Sequence, residues 1–178
     1  MKTQKFNIST TESLINWVGK KVTGSHNGTI NFKSGQLTVH DGQIIAGEFV
    51  VDTRSIKIMD ITDPAANVQF AGHLASDDFF SSEKYPEASL IISSSNNSNY
   101  IADLTIKGIT RDVTFNIDAT VLDEYLVAKA RVVIDRTKYD MKFRSGNFFQ
   151  NLGDTLIYNE FELTISLTAI ASESIAVA

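Results

Sequence analysis

The chain has 178 residues, with 16 basic and 21 acidic side chains and a formal net charge of −5. A negative chain without a long Lys/Arg cluster has the wrong sign for a phosphate backbone, which excludes nucleic acid as an expected partner. Cysteine is absent, so disulfides, thiol nucleophiles and zinc–thiolate sites are excluded as well. The length suits a single domain over 1–178.

The N-terminal segment Met1–Asn7 contains no apolar stretch of the kind that a secretory signal needs. We therefore expect a cytoplasmic protein as the chain stands, and a periplasmic one if an export signal has been removed. No run of apolar residues approaches the roughly 18 that a membrane span needs, so we expect no membrane span.

Period-two alternation of apolar and polar residues dominates the chain and predicts half-buried β-strands. Short turn signals at Asp41-Gly42, Asn96 to Asn99 and Asp123-Glu124 predict antiparallel hairpins, and Gly108 marks a further bend. Eight strands are predicted, near 14–22, 28–39, 43–58, 88–95, 99–107, 113–121, 125–135 and 161–169.

A change of parity is visible within the second of these strands. Ile30 and Phe32 occupy even positions, whereas Leu37 and Val39 occupy odd ones. Because a strand keeps one face toward the core, the parity change predicts a β-bulge, which we place at Gly35.

One helical insertion, at about 60–86, interrupts the strands. Asp63 before Pro64 predicts a helix N-terminus, since the carboxylate can accept a backbone N–H and proline suits the first helical position. Ser76, Asp77 and Asp78 predict a second short turn, with both acids as caps rather than as a catalytic pair. Three aromatic residues follow and are expected to cover an apolar interior as a lid: Phe79, Phe80 and Tyr85.

These patterns predict an all-β fold with one short helical insertion, as an eight-stranded antiparallel β-barrel rather than a sandwich. Alternation alone leaves open both an internal cavity and a filled core. A cavity in such a barrel would be apolar, lined by Phe32, Phe49, Leu104, Ile106, Phe115, Ile117 and Phe161.

Catalytic and metal-binding patterns are weak. His26, His40 and His73 lack the H-E-x-x-H spacing, and no G-x-S-x-G, P-loop or G-x-G-x-x-G motif is present. We therefore predict no catalytic residue, no metal site and no cofactor.

Five segments of the chain carry a family resemblance: His73-Leu74-Ala75-Ser76-Asp77-Asp78-Phe79-Phe80, Tyr85-Pro86-Glu87-Ala88, Leu104-Thr105-Ile106-Lys107-Gly108-Ile109-Thr110, Ile134-Asp135-Arg136-Thr137-Lys138-Tyr139-Asp140 and Asn151-Leu152-Gly153-Asp154. Together they resemble the bacterial YceI-like, polyisoprenoid-binding family, from about residue 13 to the end of the chain. The resemblance implies a lipocalin-like barrel with an apolar tunnel that holds a long isoprenoid or similar lipid. It also implies links to isoprenoid-quinone handling and to stress responses, without a shared catalytic motif.

The function predicted from this resemblance is non-catalytic binding, carriage or sequestration of a long apolar lipid. Two alternatives stay open: an enzyme acting on a lipid-like substrate in the same cavity, and a packed β-domain for protein contacts, with which a homodimer is compatible. The predicted ligand contacts are Trp17, Phe32, Phe49, Phe79, Phe80, Tyr85, Leu104, Ile106, Phe115, Ile117, Tyr139, Phe143, Phe148 and Phe161.

A polar head group would lie at a mouth of the barrel, and the sequence offers several partners without choosing among them. Cationic candidates for a phosphate are Lys107, Arg111, Arg136, Lys138, Lys142 and Arg144, and candidates for a quinone oxygen are Tyr139 and Tyr158. The segment 142–149 is predicted to be a long loop that either gates a mouth or packs its aromatic residues on the barrel exterior.

Overall fold

A computed structural model describes residues 2–175, which form nine strands, one α-helix and two short 3-10 turns. The helix α1 spans Pro64–Ala75, and the 3-10 turns span Arg136–Tyr139 and Gly153–Thr155. The strands are β1 Thr3–Ile8, β2 Leu14–Lys21, β3 Gly24–His40, β4 Gln43–Ile58, β5 Glu87–Asn96, β6 Asn99–Ile106, β7 Ile109–Val121, β8 Tyr125–Asp135 and β9 Ile157–Ile175.

The strands pair with antiparallel neighbours around a closed sheet, in the order β2-β9-β8-β7-β6-β5-β4-β3 and back to β2. β1 and β2 both lie between β3 and β9. β1 pairs with residues 36–40 of β3, and β2 with residues 24–30. Two segments thus share one strand position, and the predicted eight-stranded antiparallel barrel with one short helix is confirmed.

The sequence analysis did not include β1. Gln4, Phe6 and Ile8 alternate with exposed or half-buried residues and turn inward, with Phe6 fully buried. Only two of these inward residues are apolar, and β1 is short, so its alternation is weak beside that of the longer strands. The strand depends on its pairing with both β3 and β9.

The predicted bulge exists in β3, but it lies at Lys33 rather than Gly35. Phe32 pairs with Val51 and Ser34 with Val50, which leaves Lys33 as the extra residue. Gly35 has a different role. A Cβ atom there would lie 2.8 Å from Phe49 Cδ1 and equally close to Ile8, so glycine is required for close packing.

The helix begins as predicted. Asp63 accepts a hydrogen bond from the Ala66 N–H at 2.9 Å, and Pro64 is the first helical residue. Asn67 ties α1 to the end of β4, because its amide donates to the carbonyls of Ile58 and Ile61 at 2.9 and 3.0 Å.

The predicted second short turn exists at 77–80, but Asp77 and Asp78 do not cap a helix, because no helix begins there. The residues after α1 form hydrogen-bonded turns in which the Phe79 N–H donates to the Ser76 carbonyl. Asp77 accepts from the Ser81 hydroxyl at 2.6 Å, and Asp78 Oδ2 lies 3.0 Å from His73 Nε2.

The two ends of the barrel differ. At the closed end, short connections at 41–42, 97–98 and 122–124 join the strands, as the three predicted hairpins required. Here the interior is filled by side chains between 0% and 3% exposed, namely Phe6, Leu37, Val39, Ile44, Tyr100, Ala102, Leu126 and Ala169. At the open end, two long connections, 59–86 with α1 and 136–156, cover the barrel.

Candidate functional site

A cavity of about 420 Å³ occupies the open end of the barrel; we call it the outer chamber. Its floor and walls come from inward positions of the strands, and its cover from α1 and the 136–156 connection. The wall residues are mostly apolar, including Ile15, Ile30, Leu104, Ile106, Ile134 and Leu163. The volume falls within the range of about 300–1,000 Å³ that is usual for ligand pockets.

A second cavity of about 100 Å³, the inner chamber, lies deeper in the barrel. Leu37, Ile44 and Leu167 line it and bring it to the packed side chains of the closed end. The two chambers adjoin, since they share the lining residues Ile15, Val51, Ala88, Leu104, Ile134 and Leu163. The two adjoining chambers extend from the open end toward the closed end, and we call them together the passage.

Three aromatic rings cover the outer chamber. His73 on α1 packs edge-on against Phe79 at 5.1 Å and against Phe143 at 4.7 Å between ring centroids. Phe79 and Phe143 meet at 5.9 Å. This cluster joins α1 to the 136–156 connection, so the two halves of the cover are held by edge-to-face contacts worth about 0.5–1.5 kcal/mol each.

A second attachment lies on the other side of α1. His26 Nδ1 is 2.8 Å from Asp60 Oδ2, and the His26 ring packs at 4.8 Å against Phe70 of the helix. Desolvation raises the pKa of the Asp60 carboxyl, but hydrogen bonds from the Asn27 N–H, at 3.0 Å, and from His26 outweigh it. The pKa of Asp60 therefore lies below its usual value, and the carboxylate is stabilised.

Arg136 is the buried charged group of the site. The residue is 3% exposed, lines the outer chamber, and holds its guanidinium carbon 5.8 Å from the centre of the Phe79 ring. Its nitrogens donate to the carbonyls of Met141, Ile157 and Tyr158 at 2.6 to 3.0 Å. Arg136 thereby fixes the covering connection to the beginning of β9.

Most of the ligand contacts predicted from the sequence lie along the two chambers. The outer chamber is lined by Trp17, Phe79, Phe80, Leu104, Ile106, Phe143 and Phe161. The inner chamber is lined by Phe32, Phe49, Leu104, Phe115 and Ile117. Alternation identified the strand residues, because inward positions of a barrel strand face its interior.

Three predicted contacts lie outside the lining of both chambers: Tyr85, Tyr139 and Phe148. Tyr85 covers the tight turn at Gly108, where a Cβ atom would lie 3.2 Å from the tyrosine ring. Phe148 is 51% exposed, with the Lys142 ammonium 4.9 Å from its ring centre. Aromatic residues in irregular segments carry no periodicity, so the sequence gives no direction for these side chains.

Tyr139 is the most unusual of the three. It is 1% exposed, and its hydroxyl has no hydrogen-bond partner among the described residues. Desolvation raises the pKa of this hydroxyl to about 12.

Other lining residues were not predicted from the sequence. Ile15, Ile30 and Leu163 follow the alternation of their strands, so the signal for them was present. Phe70, His73 and Met141 come from the helix and the irregular connection, where only the tertiary structure brings them to the chamber.

The structure separates the predicted head-group partners into two sets. Arg136, Arg144 and Tyr158 line the outer chamber, whereas Lys107, Arg111, Lys138 and Lys142 do not. Lys107 donates instead to the carbonyls of Asp77 and Asp140 at 2.8 and 3.0 Å.

Residues 2–175 contain no cluster of three or more His, Asp or Glu side chains placed to hold a metal ion. Within the same residues, no helix has the length and hydropathy to cross a membrane.

Comparisons with known proteins agree with this architecture. The family model of the YceI-like domain matches residues 6–169. The crystal structure of BcnA from Burkholderia cenocepacia superposes with a TM-score of 0.71 at 18% identity, covering 90% of this chain and 98% of that one. A polyisoprenoid-binding domain from Saccharophagus degradans, implicated in plant cell wall breakdown, gives a TM-score of 0.63 at 16% identity and covers 93% and 98%. At these identities the likeness shows the fold.

Curated relatives match over a shorter stretch. A UPF0312 protein of Staphylococcus aureus is 31% identical over 78 residues, which are 40% of this chain. The match spans 46% of that relative, or about half of its length.

Proposed function

Because the chain belongs to the YceI-like family, we propose that it binds one long apolar lipid, such as a polyisoprenoid, inside the barrel and carries or sequesters it unchanged. The observation that carries the proposal is the apolar passage formed by the two adjoining chambers. The polyisoprenoid-binding protein of the same fold from Saccharophagus degradans supports this class of ligand.

The shape of the passage favours an elongated guest. The outer chamber of about 420 Å³ adjoins the smaller inner chamber of about 100 Å³, and packed side chains of the closed end lie beyond the inner chamber. A chain would therefore enter tail first and stop at Leu37 and Ile44.

The expected energetics are sufficient for tight binding. Each methylene group moved from water into an apolar site gains about 0.8 kcal/mol, so twenty such groups gain about 16 kcal/mol before costs are subtracted. Association itself costs at least about 4 kcal/mol. A preformed cavity limits the ordering cost, so a long chain binds tightly while a short one does not.

The polar groups of the lining support carriage rather than catalysis. The hydroxyls of Thr53 and Thr155 donate to the carbonyls of Tyr85 and Leu152 at 2.7 and 2.6 Å. His26 and His73 face carboxylates, not a serine or threonine. Among the described lining residues there is accordingly no hydroxyl nucleophile paired with a base, the arrangement that nucleophilic catalysis requires.

Solvent extraction of the purified protein, followed by mass analysis, tests the proposal. We expect one long apolar molecule per protein. Ala88→Trp places an indole where the chambers join and is expected to reduce the extracted lipid at least about tenfold. The control Thr114→Trp adds the same ring at an exposed position of β7 and should leave recovery unchanged.

Two results would contradict the proposal. Wild-type protein that yields no apolar molecule, and that binds no added long-chain lipid after delipidation, is not a lipid carrier. Chemical conversion of an added lipid during incubation would instead identify an enzyme.

A further inference from the structure

The buried charge of Arg136 carries a further inference about the ligand's head group. At 3% exposure the guanidinium is withdrawn from water, and it lies in the wall of a largely apolar chamber. Placing an ion in such surroundings is expensive unless an opposite charge and hydrogen bonds compensate for the lost hydration. The protein itself supplies only part of this compensation.

Hydrogen bonding satisfies three of the five N–H groups of Arg136. The Nε, Nη1 and Nη2 atoms each donate to one backbone carbonyl, at 3.0, 2.6 and 3.0 Å. Each terminal nitrogen therefore retains one N–H group, because a guanidinium carries two on each of them. One free N–H group on each terminal nitrogen is a donor set that can bind the two oxygens of a carboxylate or phosphate.

Arg136 forms no salt bridge in the described part of the chain, and the charge of the neighbouring Asp135 only partly offsets the burial that lowers the pKa of Arg136. The neighbouring carboxylate of Asp135 accepts from the backbone N–H and the hydroxyl of Thr137, at 3.0 and 2.6 Å. Backbone carbonyls accept all of the hydrogen bonds that the guanidinium makes to the described residues, and no carboxylate is bonded to it.

The rest of the chamber rim has the same sign. Apart from Arg136, the lining residues that are charged near neutral pH are three cations, Lys20, Lys21 and Arg144, and two anions, Asp154 and Glu160. The whole chain, in contrast, carries a net charge of −5. A positive rim on a negative protein is unexpected for a site that binds a neutral hydrocarbon, and it attracts a negatively charged head group.

We propose that the lipid ends in an anionic head, a carboxylate or a phosphate monoester, which two N–H groups of Arg136 bind while the tail fills the passage. The inference rests on the proposed function, because it assigns one end of the same ligand. Burial that makes Arg136 costly in the free protein makes its hydrogen bonds to an anion strong in the complex. Neutral lipids of the same length are then held by the tail alone.

Calorimetric titration of the delipidated full-length protein with matched C16 ligands tests this. Palmitate and hexadecyl phosphate provide the two anionic heads, and hexadecanol and methyl palmitate the neutral ones. We expect at least one anionic ligand to bind about tenfold or more tightly than both neutral ligands. The ratio of palmitate to hexadecyl phosphate affinity identifies which anion the site prefers.

Arginine variants assign the effect to one residue. Arg136→Gln is expected to bring the affinity of the anionic ligand down to that of hexadecanol. The control Arg131→Gln lies five residues earlier, on β8, with a side chain that is 65% exposed and paired with Glu162, and should preserve the preference. Arg136→Lys keeps the charge without the paired N–H groups and should retain only part of it.

The outcomes separate this inference from the proposed function. Neutral and anionic ligands that bind wild-type protein equally well would overturn the anionic head and leave the lipid carrier intact. Failure of all four ligands to bind would remove both. If Arg136→Gln does not fold, the comparison of the four ligands on wild-type protein decides by itself.

Discussion

The closed and open ends of this barrel are built from the same strands but to different purposes. At the closed end, connections of two or three residues join the strands, and side chains such as Phe6 and Leu126 are fully buried. At the open end, long connections cover a hollow of about 420 Å³. A cavity lowers stability because its lining lacks packing contacts, and the tight packing of the closed end compensates for this loss.

Individual strands show this division within a few residues. In β6, Tyr100 and Ala102 belong to the packed end, whereas Leu104 and Ile106 line the outer chamber. The Tyr100 hydroxyl donates to the Ile44 carbonyl at 3.2 Å, which fixes β6 to β4 across the closed end. Stability and ligand binding therefore respond to different substitutions along one strand.

The largest effect is expected from emptying the closed end. Phe6→Ala removes a fully buried ring and should lower the free energy of unfolding by about 3–5 kcal/mol. Phe80→Ala removes a half-buried ring at the open end, where a hollow already exists, and should cost less than about 2 kcal/mol. Urea denaturation of both variants measures the difference, and equal losses would refute the division.

Overfilling provides the converse test. Ala102→Leu adds three carbons to a position with 0% exposure and should destabilise the protein by about 1–3 kcal/mol. Ala88→Leu adds the same carbons at the junction of the chambers, where space is available, and should change stability by less than about 1 kcal/mol. A larger loss of unfolding free energy from Ala88→Leu than from Ala102→Leu would mean that the junction of the chambers has no space for a leucine side chain.

The cover of the open end should loosen when its ring cluster is removed. Phe143→Ala deletes the ring contacts with His73 and Phe79, worth about 1–3 kcal/mol together, and these contacts do not hold one strand to another. We expect faster backbone hydrogen exchange in 136–156 and faster lipid release, with little change at the closed end. Phe149→Ala, at a position 47% exposed in the same connection, is the control. Unchanged exchange in Phe143→Ala would show that the rings do not hold the cover.

The sequence predicted the closed end better than the open one. Its hairpins carry local signals, such as Asp41-Gly42, where both residues have positive φ angles of 48° and 81°, as a type I′ turn requires. The strands could be predicted as well, because each has one face of apolar residues that alternate with polar ones. β1 was missed because its two apolar inward residues give little pattern before the pairing with β3 and β9 is known.

At the open end, local pattern gave the start of α1 but not the arrangement of the cover. Phe79 and Phe143 are in contact although 64 positions separate them in the chain. Tyr85 and Phe148 are aromatic residues of the same two connections, yet they lie outside the lining of both chambers. Arg136 was one of several cations that the sequence could not separate. What distinguishes it is burial with three carbonyl partners, a property of the folded chain alone.

The smallest effect concerns acid and the attachment of α1. The pKa of Asp60 lies below its usual value in the folded protein, so its contribution to stability is complete above the pKa of the unfolded chain and is lost as the pH falls through the folded pKa. Asp60→Asn should cost less than about 1 kcal/mol at pH 5. The difference between wild type and variant should then shrink toward pH 2, because the unfolded wild type binds a proton first.

Urea denaturation from pH 5 to pH 2 measures this difference. Asp41→Asn is the matched variant at the closed end, where a hydrogen bond from the Lys2 N–H lowers the pKa of the exposed Asp41 carboxyl. Asp41 joins only a hairpin to the N-terminal strand, whereas Asp60 holds the segment that leads into the cover. Acid should therefore increase hydrogen exchange in α1 of the wild type before it affects β1, and the reverse order would place the acid-sensitive attachment at the closed end.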